Sequence, residues 1–257
     1  NYLTGRIRKE ALQPGEWFYN ADAKLYVTGA AAGNSLLQAS AGKELGDWAV
    51  AEAGIQQNIN NAAYNYTTYI NQYDTISNTF SKESITQAYI RLSSGKYAFN
   101  VLARTYLISN YLYMNQAQLP DQYAPAFNIT QLSLQKALRW RGIVLDNELL
   151  YQQVPAGAPV NIPMFMGRHQ LGFEGKIFRN ALEVATGLQV QYHSPYKTAA
   201  YSPLFHRYYY YTAYQLSNDP AFAFFFNFRI KRFRSYLMLD QLQQLFGDRQ
   251  NFINAPG

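Results

Sequence analysis

The chain has 257 residues, no cysteine, and a net charge of +6 drawn from only 15% charged residues. The missing thiols exclude disulfide scaffolds, thiol catalysis and cysteine zinc sites. Its basic residues are scattered, apart from Arg229, Lys231, Arg232 and Arg234, so no nucleic-acid partner is expected. Mean hydropathy is −0.29 although the chain carries 23 Tyr, 16 Phe and 3 Trp. That pairing suits a wall with one aromatic and one polar face, whose hydropathy averages out along each strand. No segment reaches the roughly 18 uninterrupted apolar residues of a transmembrane helix.

Taken in order, the segments alternate with a period of two, the signature of strands with one apolar face. Trp17, Tyr19, Ala21, Ala23, Leu25 and Val27 oppose Asn20, Asp22 and Lys24. Leu37, Ala39 and Ala41 oppose Gln38 and Ser40, and Ala49, Ala51, Ala53 and Ile55 oppose Glu52 and Gln56. A Tyr/Asn/Thr stretch over 62–75 alternates more weakly and is read as a further strand. After the stretch 84–95, Tyr97, Phe99, Val101, Ala103 and Leu107 share a face, with Arg104 on the other. Leu132, Leu134, Leu138 and Trp140 oppose Gln131, Ser133, Gln135 and Arg139. The phase flips after Arg141–Gly142, so that Ile143, Leu145, Leu149 and Tyr151 oppose Asp146, Glu148 and Gln152. Phe165, Leu171 and Phe173 oppose Arg168, Gln170 and Glu174. Phe178, Leu182, Val184, Leu188, Val190 and Tyr192 oppose Arg179, Glu183, Gln189 and Gln191.

The clearest alternation comes last. Phe222, Phe224, Phe226, Phe228 and Ile230 occupy every second position of AFAFFFNFRI, and the phase shifts at Lys231–Arg232 as a tight hairpin or bulge would shift it. Segments 42–62 and 95–114 could also be drawn as helices. Their Thr, Tyr, Phe and Val content and the phase flips of their neighbours favour strands.

Short links at Leu45–Asp47, Trp140–Gly142 and Lys231–Arg232 alternate with long Pro/Asn/Gly-rich ones at 114–126, 154–163 and 193–206. Membrane barrels have this asymmetry. The expectation is an all-β protein, an antiparallel up-and-down transmembrane β-barrel or a large segment of one. About thirteen strands of about 10–13 residues are expected, near the length a tilted strand needs to cross a bilayer. One barrel domain is expected over residues 1–257.

On this reading Phe222, Phe224, Phe226, Phe228 and Ile230 face lipid, and the polar-phase charges line a lumen: Asp22, Lys24, Glu52, Arg104, Arg139, Asp146, Glu148, Arg168, Glu174, Arg179 and Glu183. Such charges either tune selectivity or pair across strands as an acid–base ladder. Tyrosines at 64, 66, 69, 73, 106, 111, 113 and 208–211 are read as interface girdles, with a carbohydrate-binding surface as the sharper alternative for 208–211. His169, His193 and His206 lie far apart, with no carboxylate at ligand spacing. His169 is placed near a strand end. Neither Ser94 nor Ser133 has a partner at catalytic spacing, and no nucleotide or hydrolase motif is present, so no enzyme, metal or cofactor is expected.

The segments 129–155, 162–178, 182–204 and 222–242 resemble, in order and spacing, the Putative porin family of Bacteroidota outer membranes. LDNELLYQ before a Pro-bounded loop, GLQVQYHSPY with the following AYSP, and the F-x-F-x-I-K-R-x-R hairpin carry the resemblance. It implies location and fold, an outer-membrane barrel, and the function expected of such a barrel is that of a porin-like passive channel for small polar solutes or ions. The alternative is a non-conducting barrel that serves as scaffold for other outer-membrane subunits, lipoproteins or a secretion complex. Outer-membrane lipid is the expected partner in both. Family members carry a signal peptide and finish in a strand with a terminal aromatic. This chain starts at Asn1 within a strand pattern and stops at Phe252-Ile-Asn-Ala-Pro-Gly257, so it is expected to be truncated at both ends.

Overall fold

The computed structural model describes residues 1–11, 13, 15–70, 75–179, 181–203, 205–218 and 220–246. Twelve strands form one sheet: β1 (Tyr2–Lys9), β2 (Trp17–Tyr26), β3 (Ser35–Leu45), β4 (Ala49–Asn60), β5 (Glu83–Ser94), β6 (Phe99–Ser109), β7 (Phe127–Trp140), β8 (Ile143–Gln153), β9 (Phe165–Ile177), β10 (Leu182–His193), β11 (Ala221–Ile230) and β12 (Phe233–Leu239). Every strand pairs antiparallel with the next in sequence, a meander with no crossover. Among the described residues β1 and β12 remain as edges, and no pairing closes the sheet into a ring. The helical segments described are one turn at Tyr64–Thr67 and a 3-10 turn at Leu242–Phe246, neither long enough to cross a membrane.

Links at one end of the sheet are short: 46–48, 95–98, 141–142, 178–181 and 231–232, together with 10–16. Those at the other end are long: 27–34, 61–82, 110–126, 154–164 and 194–220. We call these the turn end and the loop end. The tight link at Arg141–Gly142 has φ of 47° and 87°. Two consecutive left-handed residues make the primed turn whose twist matches a hairpin, and glycine bears the second without strain.

Three expectations are corrected. The stretch 62–75 is not a strand of the sheet. It holds the helical turn and a separate small hairpin, Thr68–Ile70 with Thr75–Ser77, while Tyr73 lies outside the described residues. Tyr97 sits in the 95–98 turn rather than on β6, and β6 stops at Ser109 because Asn110 takes φ 55°. Tyr111–Met114 then pairs with Pro120–Tyr123 in a hairpin of its own. Finally, Phe178 and Arg179 (φ 49° and 52°) turn the chain between β9 and β10, so neither extends a strand. Two more hairpins, Tyr196–Lys197 with Gln215–Leu216 and Ala200–Ser202 with Arg207–Tyr209, lie in the 194–220 loop. The sheet thus holds twelve strands where about thirteen were expected, and the other strands are short hairpins at the loop end.

The packed core is small and one-sided. Ile108, Phe127, Ile129 and Ala158 are buried, with Ile85, Tyr106, Tyr111, Tyr123, Val154, Val160 and Ile162 against them. The strand residues of this cluster share one face of the sheet, and loops 110–126 and 154–164 fold onto it at the loop end. The opposite face is left open along its length: Ile90, Leu132, Leu138, Leu171, Leu188 and Leu237 are each about half exposed or more.

Candidate functional site: the polar face of the sheet

Register sorts the side chains. Following the pairing from Leu3 opposite Leu25, through Leu132 opposite Tyr151 and Leu171 opposite Leu188, to Phe226 opposite Leu237 defines one continuous apolar face. Phe222, Phe224, Phe226, Phe228 and Ile230 all lie on it. The other, polar, face carries every Asp, Glu and Arg of the twelve strands. The only Lys, Asp, Glu or Arg residues on the apolar face are Lys9, Lys43 and Lys136, all toward the turn end. Lys136 bends its ammonium to the carbonyl of Tyr97 in the 95–98 turn. A long flexible stem can cross an apolar surface and deliver its charge to the polar boundary, which short acids do poorly.

Of the eleven charges expected together, ten lie on the polar face of a strand: Asp22, Lys24, Glu52, Arg104, Arg139, Asp146, Glu148, Arg168, Glu174 and Glu183. The eleventh, Arg179, is in the β9–β10 turn. Several make acid–base contacts between residues directly opposite on neighbouring strands. Glu148 meets Arg168 at 2.7 Å and Glu52 meets Arg91 at 3.5 Å. Glu183 takes both Arg229 at 2.7 Å and Lys176 at 3.2 Å, and Arg6 binds Asp22. Arg139 reaches past β8 to Glu174 on β9 at 3.0 Å, over the smaller Val144 between them. Arg6, Arg91 and Lys176 are partners the sequence reading did not single out, and Arg229 was noted there only as part of a basic cluster; the register identifies all four as partners. Exposed pairs of this kind contribute little each, so they set the local charge more than the stability.

Amides fill the spaces between. Gln38 donates to Asp22 at 3.0 Å, Gln135 to Glu148 at 3.1 Å, Asn100 to Gln135 at 3.2 Å, and Gln131 to Gln152 at 3.0 Å. Rings on this face lie flat over glycines. A Cβ on Gly54 would come 2.6 Å from the Tyr89 ring, whose hydroxyl donates to Glu52 at 2.6 Å. Phe225 lies against Gly172 and Gly187, where a Cβ would come 3.1 and 2.9 Å from it. Aromatic bulk is thereby held close to the sheet instead of projecting from it.

At the loop end the long loops are tied to one another. The 194–220 loop is bonded to loops 110–126 and 154–164: Tyr210 N donates to Met114 O at 2.8 Å, Gln116 to Thr212 Oγ1 at 3.1 Å, and Asn161 to Tyr211 O at 2.6 Å. The Arg207 guanidinium stacks 4.5 Å from the centre of the Tyr66 ring. In the 111–123 hairpin, burial and then the Asp121 carboxylate, which accepts the hydroxyl at 3.1 Å, push the Tyr113 phenol up to about 12. Burial, with Glu83 nearby, also raises Tyr111.

These contacts correct the girdle assignment at several tyrosines. Tyr106 is on the polar face, bonded to Arg104 at 2.9 Å, and Tyr111 and Tyr113 are packed in the loop cover. The exposed aromatic belt includes Trp17, Tyr97, Trp140, Phe173, Phe178 and Phe233, all at the turn end. Strand-end position, readable once the turns are placed, is the signal that marks them. His169 is mid-strand on the apolar face, not near a strand end, and it shares hydrogen bonds with Asn147 (2.7 Å) and Tyr192 (3.0 Å). Ser94 is buried between turns, donating to Trp48 O and accepting from Tyr97 N at 3.1 Å. Among the described residues no three His, Asp or Glu side chains converge as metal ligands would.

Compared with curated proteins, the chain matches none. Compared with protein families, residues 1–256 match the family described as Putative porin. With a two-faced meander, turns and loops segregated by end, and that match over the whole sheet, the chain belongs to the Putative porin family.

Proposed function

We propose that the sheet is the wall of an outer-membrane β-barrel and that its polar face lines a water-filled path for small polar solutes or ions. The observation that carries this is the partition of charge: all strand Asp, Glu and Arg residues on one face, with only three turn-end lysines on the other. A soluble sandwich has no need to keep acids off its outer face, whereas hydrocarbon does. Family membership supports the same reading. In a bilayer the free edges β1 and β12 must be paired, because an unpaired row of backbone N–H and C=O groups is too costly in lipid. The apolar face meets lipid, the Trp- and Phe-bearing turn end sits at the periplasmic headgroups, and the long loops lie outside.

The loop packing favours a second reading, a barrel that conducts nothing and holds a lipoprotein or another outer-membrane subunit. Loops 110–126 and 154–164 pack on the polar face at one end, and loop 194–220 is bonded to both. Incorporation of the full protein into a planar bilayer tests both. Discrete, reproducible conductance steps uphold the channel. Silence, with a stoichiometric partner co-purifying from the membrane, upholds the scaffold.

A further inference from the structure

The turn-proximal ends of β9 to β12 are unevenly charged. Lys176, Arg179, Arg229, Lys231, Arg232 and Arg234 stand there against two acids, Glu174 and Glu183. Both acids are taken, Glu174 by Arg139 at 3.0 Å and Glu183 by Arg229 at 2.7 Å and Lys176 at 3.2 Å. Arg234 has no acid within ion-pair distance among the described residues. It sits directly opposite Arg229 on the same polar face. Like charges at directly opposed positions destabilise a sheet. Glu183 already answers Arg229, so the uncompensated charge of the opposed pair is that of Arg234, which an anion held beside it would balance.

There is room for one. A cavity of about 730 Å³ opens on this face, walled by Lys176, Glu183, Asn227, Arg229 and Arg234 among others. The Asn227 side-chain oxygen is buried there without a hydrogen-bond partner. It can accept from a protonated oxyanion, and with the amide turned over its NH2 would donate to a deprotonated one.

We propose that Arg229, Arg234 and Asn227 form a subsite for a small oxyanion solute, a phosphate or a carboxylate, and that the path along the polar face prefers anions. Guanidinium forks match the paired oxygens of both groups. The neighbouring turn cations would raise the local concentration of anions at this mouth. The selectivity half of the proposal rests on the reading of the polar face as a lumen, while the binding half does not.

The test uses the full protein in detergent, titrated calorimetrically at constant ionic strength with inorganic phosphate in one arm and succinate in the other. Saturable binding of either anion identifies its class, and Arg234→Gln should weaken it about tenfold or more. Arg234→Lys, which keeps the charge and loses the fork, should fall between. Lys82→Gln at the loop end should leave binding unchanged. In a planar bilayer under a KCl gradient, the wild-type reversal potential should lie on the anion side and move toward cations in Arg234→Gln. Binding no stronger than that of chloride, or binding equal in Arg234→Gln, overturns the site. Cation preference in a conducting wild type overturns the selectivity. Binding lost in Arg234→Gln from a protein that never conducts upholds the site and overturns the channel reading instead.

Discussion

Leu188 and Gln189 are neighbours on β10 that face opposite sides, which makes them a direct test of which face meets lipid. Leu188 lies between Leu171 and Phe224 on the apolar face and is 56% exposed; Gln189 lies between Gln170 and Ala223 on the polar face. With β10 running from Leu182 to His193, Leu188 is within about 2 Å of the strand's midpoint at about 3.4 Å per residue. An arginine there would stand at the bilayer midplane, where it costs about 2–4 kcal/mol, against about 0–1 near an interface. Leu188→Arg should therefore lower the folding equilibrium in lipid by about 30- to 700-fold. Leu182→Arg, at the turn end, should cost about 0–1 kcal/mol. Gln189→Arg places its charge beside amides and should change stability by less than about 0.5 kcal/mol, as surface changes do. Reversible urea unfolding in lipid vesicles, followed by tryptophan fluorescence, measures all three. A harmless Leu188→Arg beside a costly Gln189→Arg would invert the faces. If neither change mattered, the apolar face would not be in lipid at all.

Tyr113 should titrate near pH 12 in spectrophotometric titration, and Tyr113→Phe should remove that step. Its folded value is raised above the ordinary 10, so its stabilisation of the 111–123 hairpin is whole below about pH 10 and is lost as pH rises through 12. A double-mutant cycle on Glu148 and Arg168 should give a coupling of only about 0.2–1 kcal/mol, because both side chains are substantially exposed. A coupling of several kcal/mol would mean that the polar face is dry. Gly187→Val should destabilise by about 1–3 kcal/mol, since a Cβ there would come 2.6 Å from the Gly172 backbone and 2.9 Å from the Phe225 ring. Arg207→Ala should loosen the 194–220 loop, read as faster proteolytic cleavage within it while the sheet stays intact, because the stacking on Tyr66 is removed.

The alternation from Trp17 to Leu25 and from Phe222 to Ile230 determined the faces, because a period of two leaves no choice once one face must be apolar. The phase flips at Arg141–Gly142 and Lys231–Arg232 likewise determined antiparallel hairpins there. Those two signals are local, and they were enough for an all-β meander and for the polar-face placement of ten charged residues. What the tertiary structure decided is what comes from pairing at a distance. Glu148 chooses Arg168, and Arg139 passes Val144 to reach Glu174, only because register aligns strands that sequence separates. The Tyr-rich segments at 64–67 and 111–113 have the residues of strands, yet neither joins the sheet: the first forms a helical turn and the second pairs in a hairpin of its own. Contacts among the loops hold them at the loop end, and only at 64–67 is strand propensity overridden. Ile108, Phe127 and Ile129 break the polar phase for the same reason: they are apolar because loops cover them, a fact that no alternation within β6 or β7 encodes.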